Sequence, residues 1–461
     1  MIDLGTRLEL FVDHYLIDRL QGLQLRLHHP TPANVAFTFD RPWEGAFCAY
    51  LTVIHDAPLY RLYYRGWTSS EDKEGAVYCY AESTDGLTFH RPSLGLHEVC
   101  GTRDNNVFLV GEGTHNFAPF LDQRPGVPAD ERYKAIASIE HDKVKGLGAF
   151  ASPDGIHWRL LRPEPVITRG AFDSQNVAFW STHENCYVSY YRTWNAAGDD
   201  PRKFKGKRTV SRATSPDFLQ WSDGVEMTYG DTPPEELYTN QTHPYCRAPH
   251  LYLALPKRFV PQRRTLTDAE VAEYGVIPKY AVEVSDGVLM TTRGGNRYDR
   301  TFMEAFVRPG PERANWVSRS SMAANNVVLT GLMELSLYYQ QRYAQPAQYL
   351  RRYTLRTDGF ASVNAPYAGG ELLSKPFTFS GRELVLNLAT SAPGGARVEI
   401  QDEHGTPLPG YGLADCTEVF GDVLAAPVAW GEQHDLSALI GRPVRLRIAL
   451  HDADLYALCF R

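Results

Sequence analysis

The sequence predicts an all-β protein: a five-bladed β-propeller followed by a C-terminal β-sandwich. Three observations predict it. A short turn phrase built on Asp-Gly and an aromatic recurs five times, at intervals of 63 to 77 residues. An apolar, mostly tyrosine-rich segment precedes these turns. Helical periodicity is nearly absent from the 461 residues.

The turn phrase reads Ser83-Thr84-Asp85-Gly86, Ser152-Pro153-Asp154-Gly155, Ser215-Pro216-Asp217-Phe218, Thr292-Arg293-Gly294-Gly295 and Arg356-Thr357-Asp358-Gly359. Ser and Asp side chains bond to backbone N–H groups a few residues on, and Gly accepts positive φ without steric cost. The anchor that follows (Phe89, Trp158, Trp221, Tyr298 or Phe360) pins the returning strand. The Tyr-rich strands are "YRLYYRG" (60–66), "YVSYYRT" (187–193) and "LSLYYQQ" (335–341), with "RYKAIAS" (132–138) and "HLYLALP" (250–256) in the corresponding places. A further short apolar strand precedes each, as in "AYLTVIHD" (49–56). Each unit therefore reads inner strand, second strand, third strand ending in the turn, outer strand, which is one propeller blade. The stretch 265–275, "TLTDAEVAEYG", is the one short helix expected, with Thr267 as its N-cap. The propeller is expected to span 1–365. From 366 to 461 alternating strands continue without the turn phrase, and a β-sandwich with a structural role is expected there.

Composition narrows the function. The net charge is −7 and no long basic run occurs, which argues against nucleic acid and against an anionic membrane surface. No apolar run approaches a membrane span. Seven scattered cysteines, none at C-x-x-C spacing, read as free thiols in a reducing compartment. The N-terminus lacks the basic region of a signal peptide, so the cytoplasm is the expected location. No cofactor and no catalytic metal are expected. The run "DNNVF" (104–108) could hold a structural calcium ion, with a linker turn as the default. The sequence is compatible with a homo-oligomer and does not fix the oligomeric state.

In a propeller the inner strands converge on a central channel, and residues just before them crowd one mouth of it. Those segments supply Trp43 and Glu44, then His115, Asn116 and Phe117, then Asp173, Gln175 and Asn176, then Tyr238, Asn240, Gln241, His243 and Arg247, and finally Trp316 and Arg319. Acids and amides pair with hydroxyl groups and aromatic faces stack on sugar rings, so a carbohydrate is the expected partner. Arg65 and Arg192 close Tyr-rich strands; salt bridges between blades are the first reading, binding of a substrate carboxylate the second.

The array resembles the five-bladed propeller glycoside hydrolases, especially families 32, 43 and 68, which carry short Ser-x-Asp-x-x-Trp phrases in successive blades. Family 32 members add a C-terminal β-sandwich. The resemblance covers nearly the whole chain in architecture and is loose in motifs. Glu44 stands where the family opens blade one with Asp, Phe172-Asp173-Ser174 stands for Arg-Asp-Pro, and "THPYC" occupies the region of the Glu-Cys motif. The resemblance implies a glycoside hydrolase with two carboxyl groups flanking the scissile bond. Glu44 is then expected as nucleophile or base, and Asp173 as the group that orients the sugar. Glu334, then Glu304, are the expected acids, with His243 the outsider. Trp43, His115, Asn116, Gln175, Asn176, Asn240, His243, Arg247 and Arg319 are the expected substrate contacts. The structural reading of Glu44 is a turn cap after Pro42. A phosphorylase or glycosyltransferase, or a non-catalytic glycan-binding propeller, are the competing functions.

Overall fold

The computed structural model describes residues 1–69, 75–196 and 205–461. Its regular secondary structure is almost entirely strand, and it divides into two units.

The larger unit comprises 30–330 and 336–354. It holds five antiparallel blades. Blade one orders Ala49–Asp56, Leu59–Trp67, Ala76–Ser83 and Val107–Val110 outwards, all in sequence order. Blade two uses Ala118–Leu121, Tyr133–His141, Val144–Ser152 and Arg159–Leu160. Blade three uses Val177–Ser181, Cys186–Trp194, Arg208–Ser215 and Val225–Glu226. Blade four is split into two three-stranded pieces, His243–Tyr245 with Ala248–Ala254 and Met290–Thr292, and Glu236–Leu237 with Lys257–Val260 and Val284–Gly287. The inner strands of blades one to four neighbour one another in turn, and blade five meets blade one. Thr52 pairs with Asn325 there, and the Val327 N–H donates to His243 Nε2 (3.2 Å) between blades four and five, so the ring is closed.

Blade five corrects the expected strand order. Its outer strand is Thr31–Thr38, paired with Tyr349–Arg356, and not the residues after the fifth turn. Ala361–Ala365 instead pairs with Gln24–Leu27 and with Val444–Phe460. The first and last blades are thus joined by backbone hydrogen bonds from distant parts of the chain, which removes the free edge a fifth open blade would present.

The turn phrase behaves as its chemistry dictates in three blades. Ser83, Ser152 and Ser215 each accept the N–H three residues on (2.9–3.0 Å). Asp85, Asp154 and Asp217 each accept two N–H groups through Oδ1. Gly86 and Gly155 sit at φ +74° and +80°. Phe218 holds the same left-handed geometry (φ +72°) and is wholly buried. The Tyr-rich strands serve as mortar between blades: the hydroxyl of Tyr60 donates to Leu329 O (2.6 Å), that of Tyr187 to Asp122 (2.7 Å) and that of Tyr252 to Glu184 (2.8 Å). The expected helix is present as Asp268–Glu273, with Thr267 and Glu270 forming a reciprocal capping box.

The second unit comprises 1–29, 331–335 and 355–461. Its ten strands enclose one apolar core, and the long bent strands Leu384–Asp402 and Val444–Phe460 pair along most of their length. The expected boundary at 365 is therefore moved: 1–29 and 355–365 pair here, because their apolar faces fill this core. No disulfide joins the cysteines among the described residues, and no helix among them is long and apolar enough to cross a membrane.

Candidate functional site

All five blades deliver a side chain to one mouth of the channel. Tyr50 of blade one donates its hydroxyl to the backbone oxygen of Asp173 in blade three (3.0 Å), and lies 3.2 Å from the hydroxyl of Tyr238 in blade four. His115 of blade two packs edge-on against the Tyr50 ring, 5.9 Å between centroids. Arg319 of blade five stands over Tyr238 (5.2 Å) and Tyr280 (5.0 Å), and donates to the Tyr343 hydroxyl (3.3 Å).

Cations surround this pair of tyrosines. Arg65 stacks on Tyr50 (4.6 Å) and Trp67 (4.9 Å) and donates to Phe47 O and His115 O. Arg192 lies over Tyr238 (5.5 Å) and pairs with the Asp173 carboxylate. Arg208 stacks on Trp194 and Phe259 and pairs with Glu236 (3.0 Å). Lys257 is wholly buried, with its Nζ 4.2 Å from the Tyr238 ring centre and no hydrogen-bond partner among the described residues. The electrostatic consequence is mutual. Burial, then Arg319, Arg208 and Arg192, pull the Lys257 ammonium well below its ordinary pKa, against a smaller opposing pull from Glu283. Burial alone would raise the Tyr238 phenol, but Arg319 and Arg192, with the hydrogen bond it shares with Tyr50, bring it below its ordinary value. Tyr50 is driven the other way, chiefly by burial and then by Tyr238, and stays a proton donor. Tyr50 and Arg319 both hold left-handed backbone (φ +54° and +64°), a conformation that bulky residues rarely adopt and that concentrates at functional sites.

Beside this cluster opens a cavity of about 570 Å³ between blades two and three, lined by His115, Ser138, Phe172 and Asp173 with Glu112, Glu140 and Lys145. Asp173 is 56 % exposed and forms the wall between cavity and cluster.

The expected residues separate into groups. Asp173, His115 and Arg319 meet at the mouth. Asn116 lies beneath it: its amide donates to the backbone oxygens of Phe172 and Ser174 and so holds the loop that presents Asp173. Asn176 donates to Ser174 O (2.8 Å) and accepts from the Arg192 N–H (3.1 Å). Gln175 spans the channel to Leu51 O and Thr52, and accepts from Gln241 (2.8 Å). Asn240 bonds Tyr190 O and the Thr242 N–H. These amides position the mouth from inside and are not surfaces for a sugar.

Several expectations are corrected. Glu44 is fully buried and turned into its own blade. It accepts from Tyr64 (2.6 Å), from the Arg41 N–H (2.9 Å) and bidentately from Arg91 (2.8 and 2.9 Å), which leaves it no role as a nucleophile. Trp43 is buried in the same core and donates to Asn106 (2.8 Å). His243 is buried, its Nε2 accepts from Val327 and its Nδ1 faces Gln241 O, and desolvation lowers its pKa to about 4, so it is a neutral structural histidine. Arg247 lies in the turn beside Cys246, which lines the opposite mouth. Glu334 opens the strand Glu334–Gln341, seven residues or about 23 Å along it from the end that leads to Tyr343. Glu304 is exposed beyond blade four, next to Met303, whose carbonyl accepts from Arg258. Asn105 and Asn106 accept hydrogen bonds at their side-chain oxygens from the Val107 N–H and from Trp43.

Tyr50, Lys257, Arg208, Glu112 and Glu140 escaped sequence reasoning. One signal was present: Arg65-Gly66-Trp67 and Arg192-Thr193-Trp194 repeat an Arg-x-Trp phrase at the same place in blades one and three.

No family model and no curated protein matches the sequence. Solved structures that it is similar to include a glycoside hydrolase (10 % identity, TM-score 0.49, 71 % of this chain and 92 % of that one). Others are a glycosyl hydrolase from Bacteroides ovatus (14 %, 0.40, 71 % and 93 %) and an N-acetylgalactosamine deacetylase from F. plautii (9 %, 0.43, 74 % and 97 %). With each TM-score below 0.5, the fold assignment rests on the strands themselves.

Proposed function

We propose that the protein is a glycan-active hydrolase that cleaves a glycosidic bond at the Tyr50–Tyr238 mouth, with Asp173 as the reacting carboxylate. The observation that supports this is the position of Asp173. Among the described residues it is the carboxylate that both lines the cavity and touches the axial cluster. Cleavage of a glycosidic bond develops positive charge on the sugar ring, which a carboxylate held against the ring stabilises. The second carboxyl group such a reaction needs is supplied in this reading by Glu140 or Glu112, which line the same cavity. The Tyr50 hydroxyl, kept protonated, donates to the Asp173 backbone oxygen and so holds the loop that presents this carboxylate. The likeness to families 32, 43 and 68 stays at the level of architecture, since the residue in their first acidic position, Glu44, is committed to Arg91.

The test is a panel of aryl-glycosides and plant or algal oligosaccharides. Asp173→Asn is expected to lower kcat by about 10²- to 10⁴-fold, and whichever of Glu112→Gln and Glu140→Gln does the same identifies the partner. A parent protein that binds sugars but turns over no glycoside would make this a binding propeller instead. An active Asp173→Asn variant would remove Asp173 from the chemistry.

A further inference from the structure

Among the described residues, the mouth gathers more buried basic side chains than it has carboxylates to pair with them. Elsewhere in the propeller the rule is pairing. Of the buried cations among the described residues, Lys134 meets Asp122 (2.7 Å), Arg212 meets Glu184, Arg300 meets Glu235 and Arg192 meets Asp173. Arg65 and Lys257 are the exceptions, with no carboxylate within ion-pair distance, and both face the Tyr50–Tyr238 pair. Arg319, on the fifth blade, is likewise unpaired by any carboxylate among the described residues. Three cations left without counter-charge therefore converge from three blades. An ammonium or guanidinium withdrawn from water is destabilised unless an anion or strong hydrogen bonds replace the solvent. Arg65 has its hydrogen bonds to Phe47 O and His115 O and Arg319 its bond to Tyr343, ring faces add a partial compensation, and Lys257 has no hydrogen bond among the described residues. The other buried cations of this propeller are paired with carboxylates, and among the described residues these three are not.

We propose that the mouth binds an oxyanion, either the carboxylate of a uronic acid unit in the glycan or a phosphate group, between Arg319, Arg65 and Lys257. This rests on the reading of the mouth as a glycan site and adds the class of ligand it selects. Arg319 gives the planar fork that matches a carboxylate or a phosphate, and Lys257 a point charge behind it. Asp173, already paired with Arg192, stays beside the anion and faces the cavity, where the neutral part of the ligand would lie. Glu236 is held by Arg208 and does not compete. Burial and then the neighbouring guanidinium groups hold the Lys257 pKa down, and an anion bound beside it would raise it.

The experiment is calorimetric titration of the full chain at low salt with sodium glucuronate, sodium galacturonate, inorganic phosphate, glucose and galactose. Each is repeated with Arg319→Gln and Lys257→Met, after circular dichroism confirms that both variants are folded. The expected result is that at least one anion binds at least tenfold more tightly than the neutral sugars. Its affinity should fall as salt is raised and fall at least tenfold in Arg319→Gln, whose side chain is partly exposed and not needed to fill a core. Binding of the uronates without phosphate assigns the anion to the glycan; binding of phosphate without uronates makes it a co-substrate. Equal binding of glucose and glucuronate, or anion binding unchanged in Arg319→Gln, overturns the proposal. Should that happen while Asp173-dependent hydrolysis of neutral glycosides persists, the proposed function stands without it. Anion binding with no hydrolysis of any glycoside is the reverse case.

Discussion

Glu44 and Asp173 show how differently two acidic side chains are used. Glu44 satisfies Arg91, Tyr64 and a backbone N–H inside one blade. Glu44→Gln is expected to lower unfolding free energy by about 2–3 kcal/mol, the range for breaking a buried pair discounted for the partial exposure of Arg91. The turnover per folded molecule should be unchanged, which denaturant titration and active-fraction kinetics would check together. His243 makes a pH-dependent contribution of definite sign. Its folded pKa is near 4, below the unfolded value of about 6.5, so the unfolded state binds more protons between the two. Stability is therefore full above about pH 6.5 and falls as pH drops toward 4. Urea midpoints should show a loss of about 2 kcal/mol between pH 7 and pH 5 that His243→Gln does not show. In the sequence both residues looked chemical, since nothing local distinguishes a buried, saturated side chain from an exposed one.

At the scale of elements the repeat was readable because its causes are local. A Ser, an Asp and a residue tolerant of positive φ close the turn through bonds spanning two or three residues, and three blades share that pattern. Gly155 carries a second constraint: a methyl group there would stand 2.4 Å from the Tyr63 hydroxyl. Gly155→Ala should cost about 1–2 kcal/mol for the left-handed backbone alone, and more for the displaced tyrosine, measurable as a lowered urea midpoint. The capping box at Thr267 and Glu270 was equally legible. The outer strand of blade five was not, because its partner lies more than 300 residues away and the pairing leaves no mark in either segment.

At the scale of the molecule, ring closure is the element on which the mouth depends, because Arg319 and Tyr50 meet only when blade five adjoins blade one. Phe37→Pro removes a ladder donor from the closing strand and empties an aromatic core position. A loss of about 3 kcal/mol or more is expected, with faster hydrogen exchange in Tyr349–Arg356; unchanged protection there would show that closure does not stabilise the blade.

The chain by itself determined the class of fold, the five turns, the Tyr-rich strands and the helix cap, since each follows from contacts within a few residues or from strand alternation. Tertiary structure alone decided which acids face the channel, which strand closes the ring and where 1–29 belongs. It also gathered Arg65, Lys257 and Arg319 around Tyr50 and Tyr238 from separate blades. Burial and charge balance are properties of the surroundings that a closed ring creates, and no short stretch of sequence carries them.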